Sequence, residues 1–225
     1  DIQSGGVQIC ITAYGMGSCP EANDCVYITI EHLPTANAGN DLLICAGEQA
    51  SLSGTVSNAT SVQWNTAGDG TFGNQQSLTA MYFPGEMDIA NGFVTIQLTA
   101  ASNGVCSNAS DQLEIIIQKQ PDAYAGEDAT IDQGLSFSTV SADASDFTEL
   151  QWATSGTGAF LDPNIVNTQY QPSQNDYTIG NVTLTISAMA IDPCSVAASD
   201  DMTLSFNITG CLDASADAGP GATIC

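Results

Sequence analysis

Hydrophobic and polar residues alternate with a period of two along much of this chain. In residues 94–100 every second residue is apolar: Val94, Ile96, Leu98 and Ala100. The same alternation occurs in 7–13 and 182–188, and again in the segments that follow each of them, 26–30, 113–117 and 204–208. Because alternate side chains of a strand point to opposite faces, the pattern predicts antiparallel strands with one buried face. Clusters of Gly, Asn, Asp and Pro predict turns between them, and no segment shows a convincing helical period.

The chain also contains an internal repeat. Six residue pairs are offset by 88 positions: Trp64/Trp152, Phe72/Phe160, Tyr82/Tyr170, Pro84/Pro172, Asp88/Asp176 and Gly92/Gly180. The end of the repeat recurs near the start of the chain (Gly5, Ala13, Cys19), and its beginning recurs as Ala38-Gly39, Ala125-Gly126 and Ala218-Gly219. We therefore expect the C-terminal part of a repeat at 1–34, complete repeats at 35–121 and 122–212, and the start of the next repeat at 213–225, as part of a longer array.

The size of the repeat suggests its fold. A unit of roughly 90 residues can supply about seven short strands, which is typical of an immunoglobulin-type sandwich. The sequence thus predicts an all-β protein of tandem immunoglobulin-like antiparallel β-sandwiches in an extended array. Pro34 and Pro121 mark the joints, where a fixed φ stiffens the short linkers. Four aromatic residues are predicted to lie in the cores rather than to form a binding surface: Trp64, Trp152, Phe72 and Phe160.

Charge excludes several classes of partner. The chain has 25 Asp and Glu residues against a single Lys, Lys119, and a formal net charge of −24. Nucleic acid is excluded because phosphate binding requires Lys and Arg, and an anionic lipid surface would repel the chain. No apolar run of about 18 residues is present, which argues against membrane insertion. Since 43% of the residues are hydrophobic, a packed core is still expected.

The recurring motifs combine into one pattern. It begins with A-x-A-G-x-D-x-x-I-C and continues with W-x-T-x-G-x-G-x-F, Y-x-P-G/S-x-x-D and G-x-V-T-x-x-L/I-x-A. The pattern resembles the PKD-like, immunoglobulin-like tandem repeats of very large Bacteroidota surface proteins, and it covers essentially the whole chain. The resemblance implies export to the cell surface, often by the type IX route, and a role as an adhesin, a gliding-motility filament or a stalk. Neighbouring repeats of the same chain would be its partners, and lateral self-association into a fibre is a further hypothesis.

The resemblance also suggests disulfide pairings. In such repeats the Cys of the I-C-x-G head commonly pairs with a Cys after the penultimate strand, which implies a Cys45–Cys106 disulfide. The second complete repeat has Asp132 at the head position, so Cys194 lacks that partner. A Cys194–Cys211 disulfide is the remaining hypothesis.

A further pair of cysteines follows from the strand pattern alone. By alternation, Cys10 and Cys25 face outward on consecutive antiparallel strands, which predicts a cross-strand disulfide, with two free thiols as the alternative. The eight cysteines include no C-x-x-C pair and no zinc-like spacing with His. In an acidic chain rich in Thr, Ser, Asn and Gly, they indicate an extracellular, oxidising location.

The carboxylates do not predict an active site. Asp41 and Asp128 follow the Ala-Gly head in both repeats, which suggests a turn or cap role, with a calcium ion held by these residues and Asp122 as the alternative. The dense pair Asp200-Asp201 lies in a repeat without an evident cleft for glycosidase chemistry. His32 aligns with a Lys at a strand end and is expected to be solvated. We therefore predict no catalytic residue and no cofactor-binding residue.

The Gly-rich stretch 67–72 is not a phosphate-binding loop, because it has no Lys and opens no helix. It predicts a turn between strands, with a hairpin around Asp69-Gly70 as one form of that turn. Taken together, the sequence predicts a non-catalytic structural segment of a long extracellular protein that acts as an adhesin, stalk or filament. Two alternatives stay open: a module that binds a glycan or protein receptor of unknown identity, and spacer domains of a large secreted hydrolase.

Overall fold

A computed structural model of the chain describes residues 5–104 and 106–208. The chain divides into two compact units between Lys119 and Gln120, close to the joint expected at 121–122. The segment 213–225 lies outside the described residues. Among the helices that the structure describes, none is long and apolar enough to span a membrane.

The first unit begins with a two-stranded hairpin. Strands β1 (Gly6–Ala13) and β2 (Ala22–Thr29) pair antiparallel, with Ile9 opposite Val26 and Cys10 opposite Cys25. The strands lie where the alternation predicts them. Their apolar face, however, is not buried, since Ile9 is 52% exposed and Val26 is 57% exposed.

The rest of the first unit is a β-sandwich. Its elements are β3 (Thr35–Asn37), β4 (Leu42–Cys45), β5 (Ala50–Ser53), β6 (Thr55–Ser57), β7 (Ser61–Thr66), β8 (Thr71–Phe72), β9 (Thr79–Phe83), α1 (Glu86–Asn91), β10 (Phe93–Ala101) and β11 (Ala109–Gln118). One sheet has the order β4-β11-β10-β7, a second has β5-β9-β8, and β3 pairs with β6. The head segment changes sheets at Gly39, whose φ of 103° favours glycine. This change divides the head segment into two short strands, β3 and β4, and it is one reason why the sandwich has more strands than the seven expected.

The core of this sandwich is the predicted inward face. In β10 the residues Val94, Ile96, Leu98 and Ala100 are all 3% exposed or less. Val94, Ile96 and Leu98 pack in one cluster with Leu52 of β5 and Tyr82 of β9, the strands of the facing sheet. Complete burial of each large apolar side chain contributes about 1.5–3 kcal/mol. The alternation therefore positions the two sheets against each other.

The second unit repeats this architecture. Its elements are β12 (Asp122–Tyr124), β13 (Ala129–Asp132), β14 (Phe137–Ser138), β15 (Asp143–Ser145), β16 (Phe147–Thr154), β17 (Ala159–Phe160), β18 (Gln169–Gln171), α2 (Gln174–Ile179), β19 (Asn181–Ala190) and β20 (Ala198–Asn207). The sheet orders are β13-β20-β19-β16, β14-β18-β17 and β12-β15. Val182 pairs with Leu204 as Val94 pairs with Ile115. The sequence repeat is thus a repeat of topology and register.

Helices α1 and α2 were not predicted from the sequence. Each has six residues, which is too short for a 3.6-residue period to show. Their signal is local: Asp88 and Asp176 occupy the N3 position and accept a hydrogen bond from the N-cap N–H, and in α2 the N-cap Ser173 completes a capping box. Gly92 and Gly180 end the helices in the left-handed conformation. The motif Y-x-P-G/S-x-x-D followed by Gly therefore specifies a single capped turn of helix.

The Gly-rich stretch 67–72 is a turn, but not a hairpin. Strand β7, before it, pairs with β10, whereas β8, after it, pairs with β9. The stretch therefore carries the chain from one sheet to the other. The partners of β7 and β8 are strands further along the chain, so the turn residues between them do not determine the pairing.

Candidate functional site

The first unusual group in the structure is a buried carboxylate in the first sandwich. Asp88 is 1% exposed and lies at the start of α1. Its Oδ2 accepts hydrogen bonds from the Tyr82 hydroxyl at 2.6 Å and from the backbone N–H groups of Gly70 at 3.2 Å and Gly85 at 3.1 Å. Its Oδ1 accepts from the N–H of Asp69 at 3.3 Å. A buried carboxylate is tolerated only when it is satisfied in this way.

The second sandwich contains the same arrangement around Asp176, which is fully buried. Its Oδ2 accepts from the Tyr170 hydroxyl at 2.8 Å and from the N–H groups of Gly158 at 3.0 Å and Ser173 at 2.9 Å. Its Oδ1 accepts from the N–H of Thr157 at 2.7 Å. We call each buried carboxylate with its donors an aspartate hub. The hub joins three parts of each unit: the Gly-rich loop, the strand that carries the tyrosine (β9 or β18) and the first turn of the helix (α1 or α2).

The hub explains the spacing of the repeated motif. A Cβ atom at Gly68 or Gly156 would overlap the hub carboxylate, and one at Gly158 would overlap the carbonyl oxygen of Gln171. The glycines are therefore required by close approach rather than by an unusual φ angle. The sequence reading identified the repeated Asp, Tyr and Gly positions but did not bring them together.

The hub also changes the ionisation of its members. Burial and the hydrogen bond to Asp88 raise the pKa of Tyr82 to about 12. Burial, partly offset by the hydroxyl of Thr154, raises the pKa of Tyr170 to about 12. Burial raises the pKa of Asp176, but hydrogen bonds led by the N–H groups of Ser173 and Thr157 outweigh it, and the net pKa is lowered. Both tyrosines thus remain neutral hydrogen-bond donors, and the lowered pKa of Asp176 keeps that carboxylate ionised.

The two hubs are capped by different residues at matched positions. In the first unit the carboxylate of Asp69 accepts hydrogen bonds from the N–H groups of Met87 at 3.1 Å and Asp88 at 3.2 Å, and the N-cap is Gly85. In the second unit the N-cap is Ser173, whose Oγ accepts from the N–H of Asp176 at 3.2 Å. The residue 88 positions after Asp69 is Thr157. The cap is therefore a loop carboxylate in one repeat and a local hydroxyl in the other.

The second recurring group joins the first and last long strands of each sandwich. In the first unit, β4 pairs parallel with β11, from Leu42 opposite Ile115 to Cys45 opposite Gln118. Two carboxylates reinforce this pairing. Asp111 Oδ2 accepts from the N–H of Ala38 at 2.8 Å. Asp41 Oδ1 accepts from the N–H of Glu114, also at 2.8 Å.

The second unit has the same contacts in the same direction. Asp200 Oδ2 accepts from the N–H of Ala125 at 2.9 Å, and Asp128 Oδ1 accepts from the N–H of Thr203 at 2.7 Å. We call this set, the parallel pair with its two carboxylates, the terminal clamp. The turn or cap role predicted for Asp41 and Asp128 agrees with these contacts. Asp122, named with them as a calcium ligand, accepts from the N–H of Ala123 at 3.1 Å.

The cysteines differ in part from expectation. Cys10 and Cys25 form the predicted cross-strand disulfide. The predicted Cys45–Cys106 disulfide is wrong, because Cys106 is a free thiol and Cys45 is disulfide-bonded elsewhere. Cys45 lies opposite Gln118 at the end of β11, whereas Cys106 precedes the start of that strand. A ten-residue strand spans about 30 Å, and a disulfide requires Cα atoms within about 7 Å.

The remaining cysteines are only partly described. Cys194 is disulfide-bonded, but Cys211 lies outside the described residues, so their pairing stays a prediction. Cys19 is an exposed free thiol.

The aromatic residues occupy the cores as predicted. Trp64 and Trp152 are 0% and 2% exposed, and their indole N–H groups donate to backbone carbonyls. Phe72 is partly buried and lies 4.9 Å from Tyr82 between ring centroids, and Phe160 lies 5.0 Å from Tyr170.

The described residues contain no group of three or more His, Cys, Asp and Glu side chains that could hold a metal ion. His32 is exposed, and both hub carboxylates are occupied by internal donors. The recurring chemistry of the repeat therefore serves to hold loops, helices and strands together. It presents no nucleophile with an adjacent base among the groups described above.

The comparisons with known proteins identify a fold. No protein family model matches the chain, and no curated protein matches it. Among solved structures, the I-band fragment I67–I69 from titin is similar, with a TM-score of 0.53 and 9% identity over 91% of this chain and 75% of that chain. An E-to-A variant of the three-Ig structure of the same titin domains has a TM-score of 0.52 and 8% identity over the same shares. The chain is thus an all-β protein of immunoglobulin-like sandwiches.

Proposed function

We propose that this chain is a non-catalytic, load-bearing segment of a long extracellular repeat protein, acting at the cell surface as an adhesin, stalk or filament. The observation that carries the proposal is the terminal clamp, which occurs in both units with the same strand direction and the same two carboxylates.

The mechanical argument follows from strand direction. Because β4 and β11 run parallel, the N-terminal end of β4 and the C-terminal end of β11 lie at opposite ends of the pair. A force along the chain therefore shears all the hydrogen bonds between them together, instead of opening them one at a time. The contacts of Asp41 and Asp111 also join the segment before β4 to β11, and they add two hydrogen bonds to carboxylates.

The aspartate hub supports a structural role in another way. Its carboxylate binds the Gly-rich loop, the Tyr strand and the helix start, so a sandwich under load keeps its second sheet in place. All of the hub donors are backbone N–H groups or neutral hydroxyls of the same unit. A group saturated in this way is not available to a substrate.

The proposed location is supported by redox state and charge. The Cys10–Cys25 disulfide, together with the disulfide-bonded Cys45 and Cys194, fits an oxidising compartment. The net charge of −24 keeps neighbouring chains apart in a crowded array. The resemblance to PKD-like repeats supports a Bacteroidota surface protein exported by the type IX route.

Single-molecule stretching of the full chain between its termini tests the proposal. We expect two cooperative unfolding events, and a lower unfolding force for one of them in Asp111→Ala, which leaves the buried N–H of Ala38 without its acceptor. Glu114→Ala is the matched control, because the exposed Glu114 side chain lies on the same strand and carries the same charge. An unfolding force that is equal in the two variants contradicts the load-bearing role of the clamp.

A further inference from the structure

The first sandwich has a surface pocket between helix α1 and the turn that joins β4 to β5. Its volume is about 600 Å³, within the range of small-molecule sites. The lining is part apolar and part polar, and it consists of Phe83, Pro84, Ile89, Gly47, Glu48 and Gln49. None of these residues belongs to the aspartate hub or to the terminal clamp, so the pocket is separate from the recurring structural groups.

The second sandwich has a tyrosine at the position of Ile89. Tyr177 comes 88 residues later, and each of the two directly follows the hub aspartate of its unit. The Tyr177 side chain is 8% exposed, and its ring lies 5.0 Å from that of Phe206 between centroids. Its hydroxyl accepts from the N–H of Gly134 at 3.0 Å and donates to the carbonyl of Leu135 at 3.4 Å. This unit therefore holds a phenol ring between its helix and the turn after β13.

The turn of the first unit is the counterpart of the turn that binds the Tyr177 hydroxyl. Gly47 and Glu48 precede Gly134 and Leu135 by 87 residues, and both glycines have a φ of 92°. In each turn the N–H that follows the glycine donates back to the end of the preceding strand, at 3.0 Å and 3.2 Å. Within the described part of the chain, the N–H of Gly47 itself makes no hydrogen bond. The groups that position a phenol hydroxyl in the second unit are thus retained in the first.

Two side chains define the chemistry of the ligand further. Phe83 is 44% exposed, and the second unit has Gln171 at the same position. The pocket of the first unit therefore offers an aromatic surface against which a bound ring can pack. The carboxylate of Glu48, together with the net charge of −24, repels anionic ligands and favours neutral or cationic ones.

We propose that this pocket binds a phenolic ring, either a tyrosyl side chain or a free phenol with a neutral or cationic substituent. The hydroxyl accepts from the N–H of Gly47 and donates to the carbonyl of Glu48. The ring packs against Ile89, Pro84 and Phe83. This binding does not depend on the load-bearing role of the two units, because it uses neither the hub nor the clamp.

Titration of the full chain with para-cresol, followed by amide NMR, tests the proposal. We expect saturable shifts of the Gly47 and Glu48 amide signals with a Kd of about 1 mM, as is usual for a ligand of this size. Toluene, which has the same ring and methyl group without the hydroxyl, should bind about two- to tenfold more weakly, because a hydrogen bond is lost.

A short uncharged peptide with a central tyrosine distinguishes the two sources of the ring. Binding of the peptide that is tighter than that of para-cresol assigns the pocket to a tyrosyl side chain. Weaker binding assigns it to a free phenol.

Reciprocal substitutions in the two units test the position of the ring. Ile89→Tyr gives the first unit a ring of its own and should weaken para-cresol binding there by at least about tenfold. Tyr177→Ile removes the ring from the second unit, and para-cresol should then shift the amide signal of Gly134. Met87→Tyr is the matched control, because Met87 lies on the same helix and is 64% exposed; it should leave binding unchanged.

Three results would overturn the proposal: no saturable shift at Gly47, toluene binding as tightly as para-cresol, or binding that Ile89→Tyr leaves unchanged. Equal loss of binding in Ile89→Tyr and Met87→Tyr would also overturn it, because the effect would then not be specific to the pocket. The comparison of para-cresol with toluene uses the unaltered chain, so it decides the outcome even if a variant fails to fold.

Discussion

Replacing Asp176 by Asn tests the aspartate hub with the smallest change of shape. The substitution keeps one acceptor oxygen and converts the other into an NH₂ donor. If the amide oxygen keeps the three donors of Oδ2, its NH₂ group faces the N–H of Thr157, which now donates to Oδ1 at 2.7 Å. Two donors then face each other in a buried site.

The expected loss follows from these contacts. A hydrogen bond to a charged group contributes about 1.5–3 kcal/mol, and a buried donor left unsatisfied costs about 1–3 kcal/mol. We therefore expect Asp176→Asn to lower the free energy of unfolding of the second unit by about 3–5 kcal/mol, at the high end of single substitutions. The first unit has its own hub and should keep its stability.

Native-state hydrogen exchange measures both units in one sample. Protected amides of β19 report opening of the second unit, and those of β10 report opening of the first. The matched control is Asp162→Asn, because the exposed Asp162 carboxylate accepts from the N–H of Asn164 at 2.9 Å, a bond that an Asn side chain can also accept. A loss in β19 below about 1 kcal/mol, or one equal to that of the control, would refute the reasoning.

The pH dependence of this loss provides an independent check. The pKa of Asp176 in the folded state lies below its ordinary value, so the ionised form stabilises the fold. That contribution is complete above the ordinary Asp pKa of about 3.9 and is lost as pH falls through the folded-state value. The stability difference between the wild type and Asp176→Asn should therefore be full at neutral pH and should narrow below about pH 4.

Three further predictions concern the cap, the tyrosines and the thiols. Gly85→Ser alone should destabilise the first unit by about 1–3 kcal/mol, because its Cβ would overlap the Asp69 carboxylate. The double variant Gly85→Ser with Asp69→Thr reproduces the cap of the second unit and should restore at least half of that loss in chemical denaturation. If the stability changes of the two single variants simply add in the double variant, the two positions are not coupled and the prediction is wrong. Tyr82 and Tyr170, each with a pKa of about 12, should ionise late in an absorbance titration of the folded chain. The free energy of unfolding should fall as pH rises from about 10 to 12, because these tyrosines lose their protons at lower pH in the unfolded chain. Ionisation of either tyrosine below pH 10 in the folded chain would contradict this. Alkylation of the native chain without reductant should label Cys106, and an unlabelled Cys106 would restore the possibility of a disulfide there.

Much of the architecture follows from local pattern. Strands β10 and β19 were predicted with their inward residues, because a period of two directly determines which face a side chain occupies. The core positions of Trp64 and Trp152 follow in the same way. The repeat spacing indicated that Asp88 and Asp176 matter, since both recur with their Tyr and Gly partners. Helices α1 and α2 escaped prediction because six residues are too few for a helical period and their signal is a cap.

The candidate sites required the fold. The hub brings together residues up to 19 positions apart in sequence. The terminal clamp joins residues 73 positions apart in the first unit and 75 in the second. Their proximity depends on how the strands and sheets of each sandwich pack. The Cys45–Cys106 prediction failed for the same reason, because only the register of β4 on β11 shows that these residues lie at opposite ends of a strand.

The sequence by itself determined the repeat, the all-β class and the inward faces, because these depend on composition and on periodicity within a strand. Only the tertiary structure decided which carboxylates are buried acceptors and which cysteines remain free. Burial and long-range hydrogen bonds depend on what lies opposite each residue, and a one-dimensional pattern does not contain that information.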